Sequence, residues 1–318
     1  MLHLTLRQLK VFETVARHQS FSRAAEELYL SQPAVSMQIK QLEENVSLPL
    51  FELMGKRIHL TEAGSELYHY SRDILQRLSD LETALEELKG MERGKLNIAV
   101  VTTANYFAPH LLAKFCQRHK SITVSLNVSN RESVLKQLDD NIIDLAIMGQ
   151  PPEGLDIVSQ SFMENPLVVV APPDHSLCDK TKIPVKRLAQ EVFLVREPGS
   201  GTRSAMERFF KQHNARIRTG METDTTEAIK QAVQAGMGLG IMSRHTAELE
   251  LTTGRLKVLD VQGFPIQRNW FVVIRKNKRL SATAQAFRDF LLSEAEDLMQ
   301  KTKENNAERT KKNQLNCS

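Results

Sequence analysis

A seven-residue repeat of apolar side chains, beginning soon after residue 60, constrains the fold more than any other pattern in the sequence. Its positions are separated alternately by four and three residues, which is the spacing of a coiled-coil seam; they are Leu67, Ser71, Ile74, Leu78, Leu81, Leu85 and Leu88. A helix of roughly 28 residues would be about 40 Å long. Such a helix cannot bury its apolar stripe alone, so we expect the same helix of a second subunit as its partner. The alternative is packing onto the chain's own C-terminal domain.

The composition is that of a folded protein with more than one domain. At 318 residues the chain is about twice the usual domain size. Hydrophobic residues make up 41% and charged residues 25%, which excludes a wholly disordered or fibrous chain. No apolar run approaches the roughly 18 residues of a membrane span, and the N-terminus lacks the apolar segment of a secretory signal. We therefore expect a cytoplasmic protein without a membrane partner.

The net charge of +4 does not by itself predict a partner. Residues 300–318 hold five basic and two acidic side chains, so the rest of the chain is nearly neutral. A field of this size would steer little, and any case for nucleic acid must rest on local arrangement. The segment 300–318 is polar and has no periodic apolar face, so we predict that it is disordered.

Residues 1–60 predict two short helices joined by a tight break, followed by a third helix. Apolar side chains recur at helical spacing from Leu6 to Leu28. Ser22 is the expected N-cap of the second helix and Ser31 that of the third, where Pro33 falls in the first turn. Thr61 is the expected cap of the helix over residues 61–90.

The third helix carries hydrogen-bonding side chains away from its apolar face. With Val35, Ile39 and Leu42 inward, the residues wholly or partly off that face are Gln32, Ala34, Ser36, Met37, Gln38 and Lys40. A helix of this kind after a tight turn fits the major groove of DNA, where amides and hydroxyls read base edges. The alternative is an ordinary solvated amphipathic helix.

Two short apolar arms flank the segment MGKR at residues 54–57. This pattern predicts a small β-hairpin, or wing, that places cations against phosphates; an ordinary charged turn is the alternative. The predicted DNA-contacting set comprises Ser22, Ser31, Gln32, Pro33, Ala34, Ser36, Met37, Gln38, Lys40, Lys56 and Arg57.

Beyond Gly94, short apolar strands alternate with helical patterns. The alternation predicts an α/β domain over residues 91–299 with a mostly parallel sheet, arranged as two linked lobes. Lobe I would take residues 91–162 and 268–299, and lobe II residues 163–267. Two such lobes form a cleft at the carboxyl ends of their strands, where small ligands usually bind.

Hydroxyls, glycines and one arginine follow two of the predicted strands. The first group is Thr102, Thr103 and Asn105; the second is Glu197, Gly199, Ser200, Gly201, Thr202 and Arg203; a weaker third is Thr225 and Thr226. Where a strand gives way to a helix, such residues can hold a phosphate or carboxylate. The alternative is a set of turns with capping residues.

No catalytic constellation is visible. The segment PGSG at 198–201 has proline at the first glycine of GxSxG, and GMGLG at 236–240 lacks the third glycine of GxGxxG. The nine histidines contain no pair with ligand spacing, and the three cysteines are far apart. We predict no enzyme, no metal and no cofactor. A solute-binding component of a transporter and an enzyme on the same fold remain as rival interpretations.

Residues 6–64 resemble the winged helix-turn-helix of the LysR-type transcriptional regulators. The motifs FSRAAEEL, SQPAVSMQIKQLE, LPLF and LTEAG occur in the order and spacing of that family. Many members have arginine where this chain has Met37 and Leu53, which leaves the fold assignment intact but does not carry over the family's base and phosphate contacts at these two positions. The resemblance implies a sequence-specific regulator that binds double-stranded DNA upstream of its target operon, together with RNA polymerase.

Residues 95–295 resemble the effector-binding domain of the same family, which has the two-lobed fold of periplasmic binding proteins. The blocks NYFAPHLLAKF, NRESVL, DLAIMGQPPE and LVREPGSGTR are similar to the subgroup that activates RuBisCO (Calvin cycle) operons. These blocks add Arg131, Gly149 and Gln150 to the predicted effector-binding set. The resemblance implies a phosphorylated metabolite or NADPH as effector, a homodimer or homotetramer, and activation of CO2-fixation genes; a LysR-type regulator of another metabolic operon is the alternative.

Overall fold

The computed structural model describes residues 4–54, 57–88 and 94–315. The chain divides into two compact units, an N-terminal one that ends near residue 91 and a C-terminal one that holds nearly all the rest. Among the helices of the described residues, none has both the length and the hydropathy that a membrane span requires.

The N-terminal unit is a winged helix-turn-helix followed by a long helix, as the sequence predicts. Its elements are α1 (Leu6–His18), α2 (Phe21–Leu28), α3 (Gln32–Val46), β1 (Phe51–Met54), β2 (Arg57–Leu60) and α4 (Glu62–Leu88). The core is built from side chains at helical spacing on α1 and α3, among them Phe12, Val35 and Leu42, with Leu50 from the segment just before β1. The two strands pair antiparallel as a hairpin.

The cap of α2 is Ser20, and the prediction of Ser22 was wrong. The Ser20 hydroxyl accepts a hydrogen bond from the Arg23 amide at 3.3 Å, whereas Ser22 is an exposed residue within the helix. The backbone of Ser20 is extended, and its hydroxyl satisfies an amide of the first turn that has no partner within the helix. The helix therefore begins at Phe21, one residue before Ser22.

Helix α4 begins at the predicted cap and carries the apolar repeat. The Thr61 hydroxyl accepts from the Gly64 amide at 3.0 Å. Leu67 packs on the winged-helix core and Ser71 is fully buried. Farther along the helix Ile74, Leu81 and Leu85 are exposed by 42%, 54% and 47%. The exposed part of the apolar stripe therefore begins only after Ser71.

The C-terminal unit has two lobes, each built on a five-stranded sheet. Lobe I opens with β3 (Lys95–Val101), α5 (Ala108–Arg118), β4 (Thr123–Ser129), α6 (Arg131–Asp139), β5 (Leu145–Met148) and β6 (Ile157–Glu164). Lobe II contains β7 (Leu167–Ala171), α7 (Val185–Leu188), β8 (Val192–Arg196), α8 (Gly201–Gln212), β9 (Arg218–Thr223), α9 (Thr226–Gln234), β10 (Leu239–Ser243), α10 (Glu248–Thr252) and β11 (Lys257–Val258). The chain then returns to lobe I as β12 (Asn269–Arg275) and α11 (Ala282–Leu315).

Both sheets are mixed, which corrects the expectation of mostly parallel sheets. Lobe I has the order β4-β3-β5-β12-β6 and lobe II the order β11-β7-β10-β8-β9. In each sheet two strand pairs are parallel and two are antiparallel. Strand β12 enters lobe I directly from lobe II. Parallel neighbours are joined by a crossover within one lobe, and because no such crossover leads to β12, it pairs antiparallel with β5.

Residues 300–315, predicted to be disordered, continue α11 as helix to Leu315. The segment 282–315 contains neither glycine nor proline and is rich in alanine, glutamate, lysine and glutamine. These residues lose little free energy in a helix, so an established helix propagates through them even without an apolar face to bury.

Candidate functional site

Helix α3 presents the predicted side chains on its outer face. The Ser31 hydroxyl caps the helix by accepting from the Ala34 amide at 3.4 Å, and Pro33 lies in the first turn. Gln32, Met37 and Lys40 are exposed; Ala34, Ser36 and Gln38 are half-buried. The Gln32 side-chain amide donates to the Ser36 hydroxyl at 3.0 Å, so two hydrogen-bonding groups are held together at the start of the helix.

The wing is tied to α3 by a carboxylate. Glu43 Oε1 accepts from the Leu50 amide at 2.8 Å and from the Phe51 amide at 3.3 Å. These two bonds fix where β1 begins relative to the helix. Arg57 is the first residue of β2 and pairs with Met54 across the hairpin. Lys56, the other predicted phosphate contact of the wing, lies outside the described residues.

A cleft in the C-terminal unit gathers residues from both lobes. From lobe I come Thr102 and Thr103 after β3, with Gly149 and Gln150 after β5. From lobe II come Glu197 after β8 and the first turn of α8. The predicted residues that line the cleft are Thr102, Thr103, Arg131, Gly149, Gln150, Glu197, Ser200, Gly201 and Thr202. They meet because β3, β5 and β8 all end at the cleft, as expected for the carboxyl ends of parallel strands.

Five other predicted effector residues do not line the cleft. Asn105 and Gly199 are exposed nearby. Thr225 caps α9, and the Thr226 hydroxyl accepts from Arg196 at 2.8 Å. The Arg203 guanidinium donates to Glu207 at 2.8 Å, to the Arg196 carbonyl at 2.9 Å and to Glu222. Arg203 is thus neutralised by carboxylates of its own lobe and is not available to an anion in the cleft.

Two arginines that sequence reasoning did not select line the cleft, Arg196 and Arg268. Arg196 is 5% exposed and forms a two-bond pair with Glu197 at 2.7 and 2.9 Å. Its guanidinium also donates to the Thr102 hydroxyl of lobe I at 3.2 Å. This side chain therefore joins the two lobes at the floor of the cleft.

Arg268 lies on the segment that returns from lobe II to lobe I. Its Nη1 donates to the Gly201 carbonyl at 2.9 Å, and a Cβ atom at Gly149 would lie 2.8 Å from its Nη2. Burial, followed by the charges of Arg131 and Arg208, lowers the pKa of Arg268 to about 10. Burial also lowers the pKa of Arg131, whose guanidinium donates to the Gln150 carbonyl at 2.8 Å.

The charges of the cleft do not balance. Its lining has three guanidinium groups and one carboxylate, Glu197, which is engaged by Arg196. Within the described residues neither Arg131 nor Arg268 has an ion-pair partner. Three buried polar atoms of the lining also have no hydrogen-bond partner in that part of the chain: Asn165 Oδ1, Ser243 Oγ and Trp270 Nε1. The Ser243 hydroxyl, the Trp270 indole N–H and the two guanidinium groups can donate to an anion, whereas Asn165 Oδ1 would accept from a hydroxyl of the same ligand.

Comparison with known proteins identifies both units. The family description "Bacterial regulatory helix-turn-helix protein, lysR family" matches residues 6–65, and "LysR substrate binding domain" matches residues 89–296. The RuBisCO operon transcriptional regulator of Allochromatium vinosum is 57% identical over 294 residues, which cover 92% of this chain and 97% of that protein.

Solved structures agree with this result. The regulatory domain of CcmR from Synechocystis PCC6803, solved in complex with 2-PG, is 43% identical in sequence to the matched part of this chain, with a TM-score of 0.61. The match covers 63% of this chain and 97% of the CcmR domain. A full-length OxyR variant from Pseudomonas aeruginosa, at 21% identity, shares the fold with a TM-score of 0.72 and covers 92% of this chain and 95% of that one.

A winged helix-turn-helix joined to a two-lobed domain with a polar cleft defines a DNA-binding transcriptional regulator that responds to a small molecule. The chain belongs to the LysR family of such regulators.

Proposed function

We propose that this chain activates transcription of carbon-fixation genes, the RuBisCO operon first, in response to a phosphorylated metabolite bound in the cleft. The observation that carries the target is the 57% identity to a RuBisCO operon regulator along nearly the whole of both chains. The outer face of α3 supports DNA binding in general, because Gln32 and Lys40 are exposed and Gln32 is held against Ser36.

The charge of the cleft supports a phosphorylated effector. Arg131 and Arg268 have no carboxylate partner within the described residues, and burial lowers the pKa of both. A phosphate dianion offers each guanidinium two oxygens in a geometry that suits bidentate hydrogen bonds. The 43% identical CcmR domain is in complex with 2-PG, which makes 2-PG the first compound to test on this chain.

The lobes supply the means of response. Arg196 on lobe II donates to Thr102 on lobe I, so an anion beside Arg196 competes with Thr102 and Glu197 for the same guanidinium. A ligand shifts the lobes only if it binds one arrangement more tightly than the other. We propose that this shift alters DNA bending or the contact with RNA polymerase.

The assembly is proposed to be a homodimer, or a homotetramer of two such dimers, in the cytoplasm. A two-fold DNA site requires two recognition helices, and the exposed stripe Ile74, Leu81 and Leu85 on α4 supplies a surface for self-association. The effector is bound and released unchanged, so the chain is a regulator and not an enzyme.

Fluorescence anisotropy tests the proposal directly. Labelled DNA from upstream of the host's RuBisCO operon, or a labelled scrambled duplex, is titrated with the full chain at physiological salt. Each titration is run with and without 2-PG or NADPH. We expect at least about 10³-fold preference for the operon DNA, and a change in affinity or in limiting anisotropy with the effector.

Each outcome has a distinct meaning. Specific DNA binding that responds to NADPH and not to 2-PG would identify NADPH as the effector in place of a phosphorylated metabolite. Equal affinity for operon and scrambled DNA would overturn the target operon. Consumption of 2-PG or NADPH by the purified chain would contradict the regulator and favour an enzyme.

A further inference from the structure

A groove lies beside the cleft, on the outer side of the segment that returns from lobe II. We call it the outer groove; it encloses about 660 Å³. One wall is a single face of α8, where Ser204, Arg208 and Gln212 recur at four-residue spacing. The loop that follows Gln150 also lines the groove. Arg131 and Arg268 line both the cleft and the outer groove, so the two spaces meet at these guanidinium groups.

The outer groove is positively charged. Arg131, Arg208 and Arg268 line it, and Glu153 is the carboxylate present in its lining. In the ranges that the structure describes, Arg131 and Arg268 donate only to backbone carbonyls, of Gln150 and Gly201, and Arg208 forms no ion pair. Three guanidinium groups with so little compensation repel one another unless an anion joins them.

The pKa of Arg268 is affected by the charges of the other two arginines. The charges of Arg131 and Arg208 add to burial in lowering its pKa to about 10. Arg208 is therefore close enough to act on the cleft, although it lines only the outer groove. An anion in the groove would relieve this repulsion and favour the charged form of Arg268.

We propose that the outer groove is a second anion site, which binds a phosphate group between Arg208, Arg131 and Arg268. The inference rests on the proposed function, in which a first phosphate occupies the cleft. The second phosphate belongs either to the far end of the same effector, which is then a bisphosphate, or to a separate anion. Both sources use the same charge-assisted hydrogen bonds.

Isothermal titration of the full chain separates these cases. Fructose 6-phosphate and fructose 1,6-bisphosphate share a carbon skeleton and differ in the second phosphate, and inorganic phosphate serves as the free anion. The test variant is Arg208→Gln, an exposed position on α8 whose replacement leaves the core untouched. The matched control is Arg216→Gln, which removes one charge from an exposed site of lobe II outside both spaces.

We expect the bisphosphate to bind about tenfold more tightly than the monophosphate, the usual contribution of one charge-assisted contact. Arg208→Gln should abolish that preference, so that the two esters bind with equal affinity, while Arg216→Gln preserves it. Equal affinities for the two esters, with inorganic phosphate still binding to the monophosphate-saturated chain and lost in Arg208→Gln, would support a separate anion.

The proposal is overturned if Arg208→Gln leaves both the bisphosphate preference and the binding of inorganic phosphate unchanged, or if neither exists in the unmodified chain. Failure of fructose 6-phosphate to bind would instead count against the proposed effector class. The dependence of inorganic phosphate binding on Arg208 would then decide the outer groove alone.

Discussion

Arg268 is a half-buried cation with no carboxylate partner among the residues that the structure describes. Arg203, by contrast, is surrounded by Glu207 and Glu222 on the surface of lobe II. A charge that is partly withdrawn from water without a partner destabilises the folded chain, because its desolvation is not offset by an ion pair. Under the proposed function, the same uncompensated charge would attract an anionic effector. We therefore expect opposite roles for the two arginines, Arg268 in binding and Arg203 in stability.

Replacing Arg268 by glutamine separates these roles. We expect Arg268→Gln to weaken effector binding at least about tenfold, since a charged contact to phosphate is lost. The free energy of unfolding should stay the same or rise by about 1 kcal/mol, because a desolvated charge is removed. Calorimetric titration and urea unfolding measure the two quantities. The matched variant Arg203→Gln should leave affinity within about twofold and lower stability by about 1 kcal/mol or less, as partly exposed ion pairs do. A strongly destabilised Arg268→Gln would contradict this account.

Gln32 and Arg57 are predicted to act differently on DNA. Gln32→Ala should reduce the preference for operator over random DNA, at a cost of about 1–3 kcal/mol for a lost base contact. Arg57→Ala should weaken all DNA about equally and lower the salt slope by about 0.9. Anisotropy titrations across a salt series distinguish the two, with Lys186→Ala, an exposed cation of lobe II, as the control. If Arg57→Ala changed only specificity, the wing would not be a phosphate contact.

At the scale of elements, a small ion-pair network joins α1 to α2. Glu27 accepts from Arg17 and from the His18 ring, both at 2.6 Å. The hydrogen bonds from Arg17 and then His18 lower the pKa of Glu27 to about 2. The pKa of this carboxyl rises to its ordinary value on unfolding, so ionised Glu27 contributes stability above about pH 4.5. The contribution falls progressively as the pH drops toward 2.

The corresponding prediction concerns Glu27→Gln. We expect the variant to lose about 0.5–1 kcal/mol of unfolding free energy at pH 7, a modest figure because the pair is partly exposed. The difference from the unmodified chain should shrink steadily below pH 4.5 and vanish near pH 2. Urea unfolding at several pH values measures it. A difference that stays constant from pH 7 to pH 3 would show that Glu27 acts through packing rather than charge.

Element types follow from the sequence where local pattern and tertiary packing agree. The helices of the N-terminal unit and most strands of the lobes lie where the apolar spacing predicts them. Two errors arise where local signals compete. Ser20 and Ser22 both carry a hydroxyl that can cap a helix, and the structure uses Ser20; residues 300–315 are polar but helix-forming, and they extend α11. The third error depends on a distant contact, because the return of the chain from lobe II places β12 antiparallel to β5. That pairing is not encoded in the residues that surround Trp270.

At the scale of the whole molecule, the cleft was only partly predictable because distant parts of the chain line it together. Hydroxyls and glycines at strand ends carry a local signal, and nine of the fourteen predicted effector residues do line the cleft. Arg268 carries no such signal, because only the return between lobes brings it against Gly201. The surroundings of two other arginines carry a local signal. Arg203 stands four residues before Glu207, which is ion-pair spacing on a helix. Arg196 ends the buried strand β8, where a charged side chain requires a polar partner.

The exposed apolar stripe of α4 is the surface through which we expect two copies of the chain to associate. Leu81 and Leu85 are about half exposed, and a second copy of the helix would bury them. We expect the double variant Leu81→Glu, Leu85→Glu to sediment as a monomer and to bind operator DNA at least about 100-fold more weakly, since one recognition helix then reads one half-site. Circular dichroism should remain unchanged, because neither side chain belongs to the monomer's core. Ser79→Glu, on another face of the same helix, is the control and should remain an oligomer. A double variant that stays oligomeric would place self-association elsewhere and leave α4 as a spacer between the two units.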